Sequence, residues 1–497
     1  MIPTAEALSA LSREDMVYHM LRMHQELEQL KRLIYGSRSE WFVPAVSVNA
    51  VQLTLLEVEP AAAPVTEPDT VSYQRNKPAD KAVKVAHPGR MTFPAHLPRE
   101  REIIEPAGLT EEYHKIGEEV TQELEYRPGS LYVRELVRPK YARKNGQGVI
   151  IAPLPLRPIH KAMAGAGLLT QMVVEKYVDA IPLYRKIERY KRDGITLSPA
   201  TLNEWLTEIC KLLSPLYTLI GGKIRGAPVL KAYETPVKVL DKSKKGTTHR
   251  GCLWVFLDPQ DGYVYFDYQP GRGKENLKLA LPDYKGTIQC DGYSVYQSVF
   301  QDDENVKLIH CWAHVRRLFF ESKSADAVNA ETGSTFIGAL YDVERLAREG
   351  NLAAEQFTAL RQEKSVPVLT EMKEWLITRM QVLNPTNPVY KAAQYTLKLW
   401  PGLIHYTTDG RLAIDNNEAK NAIRPSAIGK KNFMFFGSHE GGERAAMLYT
   451  FMGTCKKQGV NPAAWLKDIL LRLPYFKKYQ SLKELLPQNW VITKTLN

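Results

Sequence analysis

Residues 229–240 read VLKAYETPVKVL, an apolar, β-branched run holding one acid, Glu234, with Tyr233 just before it. This composition predicts a strand. The flanking sequence extends the pattern. DKSKKGTTH (241–249) is a basic turn, RGCLWVFLDP (250–259) a second strand, and QDG (260–262) a hairpin signal before YVYFDYQ (263–269). KENLKLAL (274–281) reads as a short helix, TIQCD (287–291) as a fourth strand ending in Asp291, and SVYQSVF (294–300) as a helix. VKLIHCWA (306–313) is a fifth strand, and WAHVRRLFFESK opens a helical stretch that runs, with breaks, to about Leu399. RLAIDNNEAKNAIRPSAIGKKN (411–432), the strand-like FMFFG (433–437) and a helix near 440–458 close the series.

Three meandering strands, a helix, a strand, a helix, a strand and then helices is the element order of a ribonuclease H-like fold. Nucleases of that fold carry acids on the first strand, at the end of the fourth and on a late helix. Two Mg²⁺ ions (or Mn²⁺) held by such carboxylates stabilise both the attacking and the leaving oxygen of a DNA phosphodiester. Asp291, at a strand end before Gly292, is one candidate, although Asp before Gly is also an ordinary turn. Glu418 is the other. The plain alternative is a capping box with Asp415 as N-cap and Glu418 at N3. Against that stands the polar density around it, since Asn421 and Arg424 follow close to the same helix face, with Lys430 and Lys431 beyond.

The chain has 497 residues, with 66 Lys and Arg against 55 Asp and Glu, a net charge of +11. That length suggests several domains, and the excess favours a polyanionic partner such as DNA, or is simply that of a mildly basic enzyme. Five cysteines without CxxC spacing indicate neither disulfides nor zinc, and His310 and His314 lack further ligands at zinc spacing. No signal peptide or membrane span is evident, so a cytoplasmic, nucleoid-associated protein without membrane contact is expected.

Met16, Met20, Met23, Leu27, Leu30 and Ile34 form a short heptad seam, which predicts a zipper-like dimerisation helix over 1–45 or an amphipathic helix packed on its own domain. A Pro/Ala-rich linker over 46–99 follows, then a small β unit over 100–160. Its Arg134, Arg138, Lys140, Arg143 and Lys144 are phosphate-contact candidates or a solvated strand face. Residues 161–222 read as a helix-turn-helix region, with Gly194 in the turn and Ser198 and Pro199 starting the last helix. Arg185, Lys186, Arg189, Lys191, Arg192 and Thr201 are its candidate DNA contacts, joined by Arg316 and Arg317 further on.

LKRLIYGSRSE, KYVDAIPLYRKIERYKRDGITLSPATLNEW, CDGYSVYQ, HCWAHVRRLF and IDNNEAKNAIRP together resemble the transposase of insertion sequence 66 elements, over nearly the whole chain and in the family's order. The resemblance implies a multidomain α+β and α/β protein. A DDE-type ribonuclease H-like core would occupy 223–450, with a helical insertion at about 322–402, and a C-terminal helical tail 451–497. It implies metal-dependent cleavage and joining of double-stranded DNA at terminal inverted repeats and target, by a homodimer or higher assembly, with accessory element-encoded proteins conceivable. Asp291 matches the family's second acid and Glu418 its third. Two departures stand out. The β unit lacks the paired cysteines of many relatives, so no zinc is expected. Tyr233 stands where the first aspartate belongs. A phenol is a poor Mg²⁺ ligand, and Glu234, the next strand residue, points to the other face unless a bulge re-aims it. The implied copy is an impaired transposase. The alternative is a catalytically inactive DNA-binding protein, a regulator or end-binder derived from one.

Overall fold

VLKAYETPVKVL forms a strand in the computed structural model, which describes residues 93–491 except 107–108, 128, 145–147, 242–245 and 477–480. The zipper expected over 1–45, and the linker as far as residue 92, lie outside the described residues.

The first sheet is built from β1 (Arg99–Ile103), β2 (Tyr113–Arg127), β3 (Ser130–Arg143) and β4 (Val149–Ile151). β2 and β3 form a long antiparallel hairpin, while β1 and β4 share the other edge of β3. Several of its cations are held by carboxylates. Arg134 meets Glu102 at 2.6 Å and Glu123 at 3.5 Å, and Arg138, which is buried, meets Glu119 at 2.9 Å. These internal pairs correct the reading of Arg134 and Arg138 as an open phosphate-binding stripe.

The hairpin docks on α1 (Ala166–Tyr177). The Glu125 carboxylate accepts the Leu168 N–H at 2.8 Å, satisfying one of the orphan donors of the helix start. Gly167 permits this approach, because a Cβ there would stand 2.1 Å from Glu125 Oε1. α2 (Leu183–Arg192) and α3 (Pro199–Arg225) follow, joined through Gly194 at φ +78°. Ser198 caps α3 by accepting the Thr201 N–H at 3.0 Å. α3 is longer than the sequence pattern suggests. Its stripe Leu202, Leu206, Ile209, Leu213, Leu216, Ile220, Ile224 is buried throughout, so the helix runs on into the core. Tyr217 donates to the Phe266 carbonyl at 2.7 Å, tying α3 to the second sheet.

That sheet comprises β5 (Val229–Leu240), β6 (Thr248–Leu257), β7 (Val264–Gln269), then α4 (Lys274–Ala280), β8 (Gly286–Cys290), α5 (Ser294–Phe300) and β9 (Val306–His310). The strand order is β7-β6-β5-β8-β9. β5 to β7 are antiparallel, whereas β8 and β9 run parallel to β5 and are reached by helical crossovers, as parallel strands require. Lys231 pairs with Gln289, so two steps on Tyr233 stands beside Asp291.

α6 (Trp312–Ser322) leads into α7 (Ala327–Glu349), α8 (Ala354–Leu360), a π-helical turn Arg361–Ser365, α9 (Val366–Val382), α10 (Pro388–Lys398) and α11 (Trp400–Ile404). Trp312, Val315 and Phe319 pack against Ile337, Met372, Leu376 and Leu403 in one apolar cluster. α12 (Asn417–Phe433) then returns along β5, and α13 (His439–Lys457) crosses β7. α13 is fastened by Thr450 and Thr454, whose hydroxyls accept the buried Phe266 and Val264 N–H groups at 2.8 and 3.1 Å. Within FMFFG only Phe436 pairs, in a single parallel bridge to Val239. α14 (Pro462–Arg472) ends the α-helical series. Among the described residues no helix is long and apolar enough to cross a membrane.

Candidate active site at the ends of β5 and β8

Successive strand residues face opposite ways, which separates Tyr233 from Glu234. Glu234 is buried, ion-paired with Arg272, and accepts from the Tyr296 hydroxyl at 2.9 Å. Burial raises its carboxyl, the charge of Asp291 adds to this, and Arg272 opposes it. β5 keeps its pairing with β6 from Lys231 to Leu240, so no bulge re-aims this side chain.

Tyr233 is half-buried, and burial followed by the charge of Asp291 pushes its phenol above its usual range. It is therefore a neutral hydroxyl at physiological pH. Asp291 Oδ1 accepts the Tyr293 N–H at 3.0 Å in a local turn.

α12 differs from the sequence expectation. Its N-cap is Asn416, not Asp415, and Glu418 lies at its second residue, so the capping box does not form. Asp415 instead accepts from the Asn417 N–H at 3.1 Å and the Tyr341 hydroxyl at 2.9 Å. The Glu418 carboxylate binds Lys231 Nζ at 2.7 Å and Lys457 Nζ at 2.8 Å. Burial alone would raise Glu418, but the two ammonium groups outweigh it and hold the carboxyl below its usual range.

Two residues along an α-helix turn the side chain through about 200°, so Lys420 occupies the flank opposite Glu418. His314 reports where that flank looks. Burial and the charge of Lys420 push its imidazole down to about 4, with Asp291 opposing and Arg317 adding. Cys311 feels Lys420 as well. Asp291 acts on Tyr233, Glu234, His310 and His314, and Lys420 acts on His314 and Cys311, while Glu418 binds Lys231 and Lys457. Sequence reasoning missed Lys420. The helical phase would have found it, had Asn416 been taken as the cap.

Hard divalent ions need convergent oxygen anions. Asp291 acts on the neutral Tyr233 phenol and the His310 and His314 imidazoles, and the Glu234 carboxylate, which also feels Asp291, is ion-paired with Arg272. Among the described residues no group of three or more His, Cys, Asp or Glu could hold a metal ion. These residues do not fit a pair of Mg²⁺ or Mn²⁺ ions.

The basic residues singled out from the sequence fall into separate places. Arg185, Arg189, Lys191 and Arg192 are exposed on α2, with Arg189 also 3.3 Å from Glu175. Lys186 is a correction. It is 1% exposed and ion-paired with Glu175, because with Tyr190 one turn on it forms the inward face of α2. Thr201 Oγ1 lies 2.9 Å from Ser198 Oγ within the cap of α3. Arg316 is exposed over the Tyr341 ring, and Arg317 is exposed 3.6 Å from Glu321. Asn421 and Arg424 are exposed and line a cavity of about 450 Å³ with Glu418 and Lys457. Lys430 Nζ donates to Thr235 Oγ1 at 2.7 Å and the Pro236 carbonyl at 2.9 Å, and Lys431 is exposed.

Residues 161–444 match the family model described as "Transposase IS66 family". Residues 450–488 match the "IS66 C-terminal element", and residues 22–101 match "Transposase C of IS166 homeodomain". The chain is similar to "Uncharacterized protein y4jD" of Sinorhizobium fredii (strain NBRC 101917 / NGR234), at 31% identity over 95% of each chain. It is similar also to "Uncharacterized protein y4qI" of the same strain, at 32% identity over 93% of this chain and 88% of the relative.

Proposed function

The chain belongs to the IS66 family of transposases, and on that premise we propose that it acts on double-stranded DNA, engaging the terminal inverted repeats of an insertion element and its target, with strand cleavage and transfer impaired in this copy. The sheet order β7-β6-β5-β8-β9 supports reading 223–450 as a ribonuclease H-like core interrupted by the helices of about 322–402. The excess of 66 basic over 55 acidic side chains supports a polyanionic partner. Exposed Arg185, Arg189, Lys191 and Arg192 are the backbone contacts of choice on α2, with Arg316, Arg317, Arg424 and Lys431 on the core. A homodimer formed through the heptads near the N-terminus, working on nucleoid DNA in the cytoplasm with or without accessory element-encoded proteins, completes the reading.

Transposases of the DDE type generally use divalent metal ions. The observation that supports impairment is at Asp291, where Tyr233 stands in place of the first acid, with Lys420 acting on the neighbouring His314 and the Glu418 carboxylate taken up by Lys231 and Lys457. Among the described residues no cluster of three His, Cys, Asp or Glu side chains is placed to hold such an ion. Tyr233 and Lys420 also favour a second reading, a DNA-binding regulator or end-binder without chemistry. A single-turnover assay on element-end DNA with Mg²⁺ separates them. Slow cleavage that rises in acid-restored variants supports an impaired transposase. Tight end binding with no cleavage in any variant supports the regulator.

A further inference from the structure

A second feature lies apart from Asp291, between α1 and the start of α13. A cavity of about 300 Å³ is lined by Lys176, Arg444, Ser438, Gly441 and Phe435, among others. Lys176 makes no hydrogen bond or ion pair among the described residues, and its nearest recorded partner is the neighbouring Tyr177 ring at 5.4 Å. The Arg444 guanidinium likewise meets no carboxylate among the described residues; only its backbone carbonyl is engaged, by Cys210 Sγ at 3.9 Å. The two cations face each other closely enough that Arg444 depresses Lys176, which burial has already lowered, to about 8. No carboxylate lines this cavity, and Glu440 and Glu443 of the same helix act on Tyr268.

Holding two like charges together at a partly buried site costs free energy. The amino end of α13, a helix of 19 residues, adds positive potential rather than relieving it. Three positive features therefore meet at one cavity whose lining holds no carboxylate, with Glu440 in the first turn of α13 outside it. At the rim Phe435 is 41% exposed, an aromatic face next to a cationic hollow.

We infer that this cavity is a binding site for a phosphate group, held by Lys176, Arg444 and the amino end of α13. Its occupant is a phosphodiester of a DNA strand or a free phosphate or mononucleotide, and the chemistry of recognition is the same for both. The DNA source rests on the function proposed above; the free-phosphate source does not.

The test uses the full chain, Lys176→Met, Arg444→Gln and the double variant, with thermal melting as the check on folding. Each is titrated with inorganic phosphate and with a duplex oligonucleotide at several salt concentrations. If the occupant is a DNA phosphate, the double variant binds duplex at least about tenfold more weakly. Its plot of log affinity against log salt is then shallower by about one phosphate's worth. If the occupant is free phosphate, the wild type binds it saturably, the double variant loses about tenfold, and the DNA slope is unchanged. Folded variants indistinguishable from wild type toward both probes would overturn the site. Should the variants not fold, the wild type still decides. Phosphate or duplex should slow acylation of the Lys176 amine at pH 8 several-fold, and a rate indifferent to both overturns the inference. A wild-type chain that binds no duplex would count against the proposed function, and the phosphate arm alone would then judge the site.

Discussion

At the scale of single residues, the chemistry turns on what surrounds Asp291. Tyr233 on the next strand feels its charge, and His314 feels both Asp291 and Lys420 of α12. Replacing either alone leaves a cation or a phenol in the cluster. Tyr233→Asp with Lys420→Glu adds two carboxylates around Asp291 and His314, and that double variant should bind Mn²⁺ at least about tenfold more tightly than the wild type in a spectroscopic titration. Glu418 holds an ion pair in this structure. Its carboxylate neutralises Lys231, whose side chain is 6% exposed. Glu418→Gln should therefore lower stability in urea by about 1–3 kcal/mol, because a buried ammonium loses its charged partner. A Glu418 whose role is metal ligation would show no such loss in metal-free buffer.

At the scale of elements, a single arginine fastens the inserted helices to the loop before α12. Arg361 is fully buried, binds Glu344 through two nitrogens at 2.8 and 2.7 Å, and donates to the carbonyls of Tyr406, Asp409 and Leu412. Lysine cannot supply that planar fork. Arg361→Lys should cost about 3–5 kcal/mol in chemical denaturation, the usual loss on breaking a buried charge network. On β7, burial pushes the Asp267 carboxyl up to about 7, with Glu443 adding and the Gln269 hydrogen bond opposing. The folded chain then holds this proton more tightly than the unfolded chain, so its contribution to stability is present below about pH 4 and lost as pH rises through 7. Asp267→Asn should melt above the wild type at pH 8, and the gap should close toward pH 4. The strands from 229 to 310 were readable because alternation and turn residues mark both their faces and their ends. The start of α12 was not, because Asp415, Asn416 and Asn417 are all good caps, and one step in the choice rotates every later side chain by about 100°. Lys186 was misread for a related reason: its position on the inward face of α2 depends on Glu175, a partner from another helix.

At the scale of the whole molecule, the chain belongs to the IS66 family, while on the function proposed above the cluster around Asp291 lacks the character of a metal site. DNA engagement and strand cleavage should therefore come apart. Binding to element-end duplex should weaken steeply with salt, as phosphate contacts require. The central claim is that Tyr233 and Lys420 disable cleavage, and single-turnover nicking of element-end DNA by the full chain in Mg²⁺ tests it most directly. The account predicts wild-type cleavage at or near background, and a rise of at least about a hundredfold in the Tyr233→Asp, Lys420→Glu variant. Robust wild-type cleavage that these substitutions do not improve would contradict it.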